Sequence, residues 1–113
     1  MTDSLRTKKC RPCEGGVEAL NPEQVGHMIL QVPEWQADEE ASVIARTFVF
    51  KNFKDAIVFV NKVAKVANDE NHHPDIFLHG YKNVTISLTT HAIGGLSEND
   101  FIVAAKIDAF SLA

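Results

Sequence analysis

One stretch, NFKDAIVFVNKVAKVAN at residues 52–68, limits what this chain can become more than any other. Phe53, Ile57, Val60, Ala64 and Ala67 recur at the three-and-four spacing of a buried helical stripe, and Phe59, Val63 and Val66 widen it. The spacing predicts a long core helix over Asn52 to Asn68, and such a helix must be covered by another layer. The flanking segments supply one. EWQADEEASVIARTFVF, with β-branched and aromatic residues concentrated at Val43 to Phe50, predicts two antiparallel strands joined near Ala37 to Glu40. Ile76 to His79 and Val84 to Thr90 predict a hairpin around a turn containing Gly80. Asn21 and Pro22 mark a helix start, with Val25, Met28 and Ile29 on one side and Pro33 as its stop. Ser97 begins a last helix whose apolar side is Phe101, Ala105 and Ile107 to Phe110. The order α-β-β-α-β-β-α predicts an α+β fold: a four-stranded antiparallel sheet with three helices packed on one face. Its other face then requires solvent, a partner subunit or a ligand.

A chain of 113 residues with 45% hydrophobic and 23% charged residues has material for one modest core. The expected organisation is a flexible leader over residues 1–19 and a single domain over 20–113. With a net charge of -4 and scattered basic residues, direct binding of nucleic acid is not expected. No apolar run approaches the roughly 18 residues of a membrane span. The start MTDSLRTKKC has neither the apolar stretch of a signal peptide nor an acid-free presequence, so the expected location is the cytoplasm. Cys10 and Cys13 sit in a polar stretch with Pro12, Gly15 and Gly16. Structural zinc wants four ligands and a thioredoxin-type pair wants a strand before and a helix after, so the two thiols are expected to be reduced and ordinary.

Four of the five histidines fall within residues 69–91. Pro74 pushes His73 out of the helical region, so the long helix must end before it. The resulting corner brings His72 and His73 near the end of the strand that leads to His91. Strand alternation puts Val84, Ile86 and Leu88 on one face, with Thr85, Ser87, Thr89 and His91 on the other. Imidazoles titrate near neutrality, with a reference pKa of about 6.5, and can both give and take a proton. A solvated sheet edge with incidental histidines, or a structural His-His-Pro corner, explains the same pattern. Metal binding is not expected, because neighbouring residues of an extended segment point apart and no acidic or Cys ligand stands at a familiar spacing. A nucleophile is not expected either, since Thr89 and Thr90 lack a recognisable elbow. Asp100 closes an S-x-x-D capping pattern in SEND, which accounts for it equally well as a helix-start residue. His79 remains open between an exposed and a functional role, and Tyr81 and Trp35 between core, interface and pocket wall.

HHP at 72–74, Tyr81, TTH at 89–91, GGLSENDF at 94–101 and AAKID at 104–108 together resemble pterin-4a-carbinolamine dehydratase, with its bacterial-type members nearest. The resemblance spans roughly residues 20–110. It implies a hydro-lyase that removes water from 4a-hydroxytetrahydrobiopterin to give the quinonoid dihydropterin, recycling the cofactor of aromatic amino acid hydroxylases. It implies catalytic roles for His72, His73, His91 and Asp100, and substrate contacts from Asn71, Thr89, Thr90 and Tyr81 beside the histidines. His72 and His91 would be the acid/base pair, His73 a binding group and Asp100 the residue that orients a histidine. No metal and no cofactor are implied, the pterin being the substrate. Partners implied are a second copy of the chain, as dimer or tetramer, and a functional link to an aromatic amino acid hydroxylase. The competing reading is a non-catalytic dimerisation module of the kind used as a transcriptional cofactor.

Overall fold

The computed structural model describes residues 4–10 and 18–111. Helix α2, Pro22–Met28, begins as its first residues dictate: the Asn21 side chain accepts the Gln24 N–H at 2.8 Å, and the Gln24 side chain accepts the Asn21 N–H at 2.8 Å. A 3₁₀ turn over Ile29–Gln31 follows before Pro33. Strands β1, Gln36–Ala37, and β2, Ile44–Val49, are joined by a loop in which Asp38 accepts the N–H groups of Ser42 and Val43. Helix α3 runs Phe53–Glu70, capped by the Asn52 side chain on the Asp55 N–H. Strands β3, Asp75–His79, and β4, Asn83–Leu88, form the hairpin, with Gly80 and Tyr81 both at positive φ in its turn. Helix α4, Glu98–Ser111, closes the described chain.

All strand pairs are antiparallel, in the order β1-β2-β4-β3. Direct cross-strand pairing of Ile44 with Leu88, Phe48 with Val84, and Ile76 with Ile86 sets these side chains on the helix-covered face. Ile44, Val84, Ile86 and Leu88 are fully buried there. The opposite face is open and mixed, with threonine hydroxyls and His79 beside exposed Phe77 and Val49. Thr47 and Thr85 share a hydroxyl hydrogen bond of 2.8 Å, His79 Nε2 lies 3.0 Å from Thr85 Oγ1, and the Phe77 ring stacks on His79. The α+β layering therefore follows the sequence pattern. Among the described residues no helix is long and apolar enough to cross a membrane.

Two expectations change and one open choice is decided. Helix α3 buries Ala56, Phe59, Val63, Ala67 and Glu70, a stripe turned away from the one led by Phe53, which is 52% exposed. Phe59 decides the rotation: its ring lies 4.6 Å from that of Phe48, 4.9 Å from Phe50 and 5.6 Å from Phe110, and the gain from this aromatic cluster outweighs burying smaller groups elsewhere. The leader expected to be flexible contains a helical turn, α1, Ser4–Thr7, seated on α4, with Leu5 2% exposed in the core. Of residues 1–19 only 4–10 and 18–19 are described, and Cys13 lies outside them. Trp35 proves to be core: it is 2% exposed and donates its indole N–H to Asp108 Oδ1 at 2.9 Å, an oxygen that also accepts from Arg46 at 2.8 Å. Burial pushes the Asp108 carboxyl above its ordinary value, against the pull of these two donors.

Candidate active site

The corner after α3 is built by Asn71. It takes the left-handed conformation, φ 54 and ψ 43, and its N–H returns to the carbonyls of Ala67 and Asn68. His72 follows with an N–H to Ala67 O of 3.1 Å, a Schellman-type end that reverses the chain. Pro74 then keeps His73 extended. The reversal sends the His72 ring inward toward the start of α4.

The second side comes from the end of β4. The strand stops at Leu88, and Thr90 pairs with Gly95 in an isolated bridge, its N–H 2.9 Å from Gly95 O. The segment between them is a 3₁₀ turn, His91–Ile93, closed by Gly94 at φ 70. His91 is thus not carried on the polar strand face, as alternation implied: the loop closing onto Gly95 places it. Alternation does hold one residue earlier. Thr90 continues the buried series of Val84, Ile86 and Leu88 and is 3% exposed.

Asp100, in the first turn of α4, ties the two sides together. It is fully buried. Its Oδ1 lies 2.7 Å from His72 Nε2, while Oδ2 accepts the Thr90 hydroxyl at 2.7 Å and the Ser97 N–H at 3.0 Å. Because the Thr90 proton goes to Asp100, the Ser97 hydroxyl, 2.8 Å away, donates to Thr90 Oγ1. Asp100 therefore both closes the helix start and receives His72. With both carboxylate oxygens accepting, His72 Nε2 is the donor, and in the neutral imidazole Nδ1 is then the ring atom with a lone pair. His73 Nε2 is 3.3 Å from Asn68 Oδ1, again with nitrogen as donor.

Asn71, His72, His73, Thr89, Thr90 and His91 line one cavity of about 460 Å³, within the range of small-molecule sites. Thr89 is pinned there by a 2.6 Å hydrogen bond to Ser42 O. Tyr81 is not part of it. It sits in the hairpin turn, 61% exposed, at the opposite end of β3 and β4 from the histidines, so a substrate contact from Tyr81 within this protomer is withdrawn. His79 also faces away, on the open side of the sheet. Among the described residues no group of three or more His, Cys, Asp or Glu is placed to hold a metal ion.

Sequence reasoning missed four lining residues: Cys10, Glu70, Ala92 and Asn99. Glu70 had a signal, since it stands three residues past Ala67 on the buried stripe, where a charge demands an explanation. Its Oε1 accepts the Cys10 N–H at 2.8 Å, and its Oε2 lies 3.3 Å from Lys106 Nζ and 3.5 Å from Lys9 Nζ. Burial works to raise the Glu70 carboxyl, but these partners prevail and hold it below its ordinary value. The half-buried Cys10 thiol is pushed up to about 12, by burial first and then by the Glu70 charge. Nothing local announced Cys10; its place depends on a contact sixty positions away.

Fold and pocket together define an α+β protein whose cavity is lined by three imidazoles, threonine hydroxyls and the Glu70 carboxylate, with the Asp100 carboxylate buried behind His72. The family model described as pterin 4 alpha carbinolamine dehydratase matches residues 18–110. A protein of Halorhodospira halophila bearing that family's name is 53% identical over 106 residues, covering 94% of this chain and 96% of its own. One from Nitrosomonas eutropha is 50% identical, covering 92% and 90%. Among solved structures, a transcriptional coactivator/pterin dehydratase from Brucella melitensis superposes with a TM-score of 0.75 at 30% identity, covering 81% of this chain and 97% of that one. A pterin dehydratase-like RuBisCO assembly factor, at 22% identity and a TM-score of 0.59, shares the fold. The chain belongs to the pterin-4-alpha-carbinolamine dehydratase family, and it is a hydro-lyase of the pterin class.

Proposed function

We propose that the cavity dehydrates 4a-hydroxytetrahydrobiopterin by histidine acid/base catalysis, with no cofactor of its own, and so returns the pterin used by aromatic amino acid hydroxylases. In this reaction the C4a–O bond breaks, the oxygen leaves as water with an added proton, and the N5–H proton departs as the C4a=N5 bond forms. His72, from the corner after α3, and His91, from the turn after β4, serve as the two proton-transfer groups. His72 is the base by virtue of its free Nδ1, and His91 is the acid. His73 binds and positions the ring system, Asn71, Thr89 and Thr90 contribute substrate contacts, and Asp100 is the positioning residue for His72. Assistance of this kind supplies about 10²–10⁴-fold in rate.

The observation that carries the reading is the convergence of three imidazoles on one cavity, one of them locked by a buried carboxylate 2.7 Å away. The test is the loss of water from synthetic 4a-hydroxytetrahydropterin. His72→Ala combined with His91→Ala should abolish the enzymatic component, and an unchanged rate would reject the mechanism. Self-association belongs to the same proposal. Phe77 and Val49, 62% and 67% exposed on the uncovered sheet face, together with the unpaired edge of β3, offer a surface for a second copy. Nothing in the cavity favours the non-catalytic module over the enzyme.

A further inference from the structure

Two residues of the cavity wall, Cys10 and Glu70, take part in none of the steps above, yet both are held in place by unusually specific contacts. We propose that the segment 5–10 holds Cys10 as a fixed part of the wall of the pterin cavity and that Glu70 is the positioning residue anchoring this wall beside His72; the proposal rests on the cavity being the pterin site.

The segment is fastened at three separate points. Leu5 is buried in the core against α4. Lys8 pairs with Glu98 in the first turn of α4, Nζ to Oε2 at 2.6 Å. Cys10 is bound through its N–H to Glu70 Oε1 at 2.8 Å, with its Sγ 3.6 Å from the Asn99 carbonyl. The segment thus crosses from α4 to the end of α3. Glu70 stands immediately before Asn71 and His72, but the reversal that aims the His72 ring is made by backbone hydrogen bonds to Ala67 and Asn68, so the Glu70 side chain anchors the wall without turning that ring. A carboxylate whose side chain is only 5% exposed is costly unless fully paired. Among the described residues the partners of Glu70 belong either to the leader, as Cys10 and Lys9 do, or to α4, as Lys106 does. Such a site is not needed to end a helix. It is needed to hold a distant segment against it. The wall bounds the cavity without supplying a proton, so it affects substrate affinity rather than the chemical step.

The test uses full-length protein in a Cys13→Ser background, with 7,8-dihydropterin as the binding probe and 4a-hydroxytetrahydropterin as substrate. Glu70→Leu should raise KM, and Kd for dihydropterin, by roughly tenfold while kcat stays within about twofold, the pattern of lost uniform binding. Glu70→Gln, which keeps an oxygen for the Cys10 N–H, should fall between. Iodoacetamide should label Cys10 slowly in the parent and more slowly still with dihydropterin bound. In Glu70→Leu labelling should be faster and protection weaker. A chain lacking residues 1–10 should show the same KM as Glu70→Leu, and adding Glu70→Leu to it should change little, because both remove one anchor. Should that truncation fail to fold for want of Leu5, the full-length variants decide alone. Unchanged KM, Kd and Cys10 labelling in Glu70→Leu would overturn the proposal. The parent's behaviour separates it from the catalytic reading: binding without turnover rejects the catalysis, and the Cys10 labelling rate reports the anchor whether or not any pterin binds.

Discussion

Replacing Asp100 by Asn changes a single atom type in a fully buried side chain, and its consequences can be worked out bond by bond. Two donors, the Thr90 hydroxyl and the Ser97 N–H, converge on Oδ2, so the one remaining oxygen stays with them. The new amide NH₂ then confronts His72 Nε2, which must become an acceptor. The imidazole proton moves to Nδ1, and the atom assigned as base loses its lone pair. A charge-assisted hydrogen bond contributes about 1.5–3 kcal/mol and a neutral one about 1, so the exchange costs about 0.5–2 kcal/mol of stability. For a domain of this size each kcal/mol lowers Tm by roughly 4–8 °C. Loss of the base should lower kcat by on the order of 10²-fold, equivalent to about 2.7 kcal/mol of barrier. The assay is stopped-flow dehydration of 4a-hydroxytetrahydropterin, with circular dichroism melts confirming that the variant is folded at the assay temperature. A folded variant with kcat within threefold of the parent would refute the tautomer argument and with it the positioning role of Asp100.

Three further outcomes are expected. Leu5→Ala should destabilise the protein by about 2–5 kcal/mol, measured by urea denaturation, as for other buried leucines; a cost near zero would mean that the leader does not pack on α4. Gly95→Ala brings a Cβ to 2.8 Å from Ala19 Cβ, with no flexible side chain to yield, and should lower stability by about 1–3 kcal/mol while disturbing the Thr90 bridge; a melting temperature equal to the parent's would contradict this packing. The Glu70 carboxyl titrates lower in the folded chain than its ordinary value of 4.5, so its stabilising contribution is complete above that value and fades as pH falls through the lower folded one. The urea midpoints of parent and Glu70→Gln should therefore differ at pH 7 and converge toward pH 3, and a gap independent of pH would exclude the ion pairing as its source.

Local signals accounted for most of the architecture. The Asn21 and Asn52 caps, the Gly80 turn, the alternation of Val84, Ile86 and Leu88 and the His-His-Pro stop each depend on neighbours within a few positions, so their physics is written in order along the chain. The face of α3 was harder, because apolar residues surround most of that helix and only the rings of Phe48, Phe50 and Phe110 select which side turns inward. Asp100 was legible as a capping residue and, by resemblance, as a site residue. That one carboxylate both closes the helix start and holds His72 follows from its second oxygen reaching Ser97 and the end of β4 while its first reaches the corner after α3.

The residue order alone determined the kinds of element, the corner at Pro74 and the set of imidazoles, since propensity, capping and steric exclusion act over one or two turns of chain. Tertiary structure decided which of these groups meet. His91 reaches the cavity through a loop closed on Gly95, Tyr81 is carried to the far end of its hairpin, and Cys10 is brought to Glu70 across sixty positions. Such meetings arise from the packing of whole layers, where the burial of Leu5, Phe59 and Asp100 is settled jointly and no short segment holds the information.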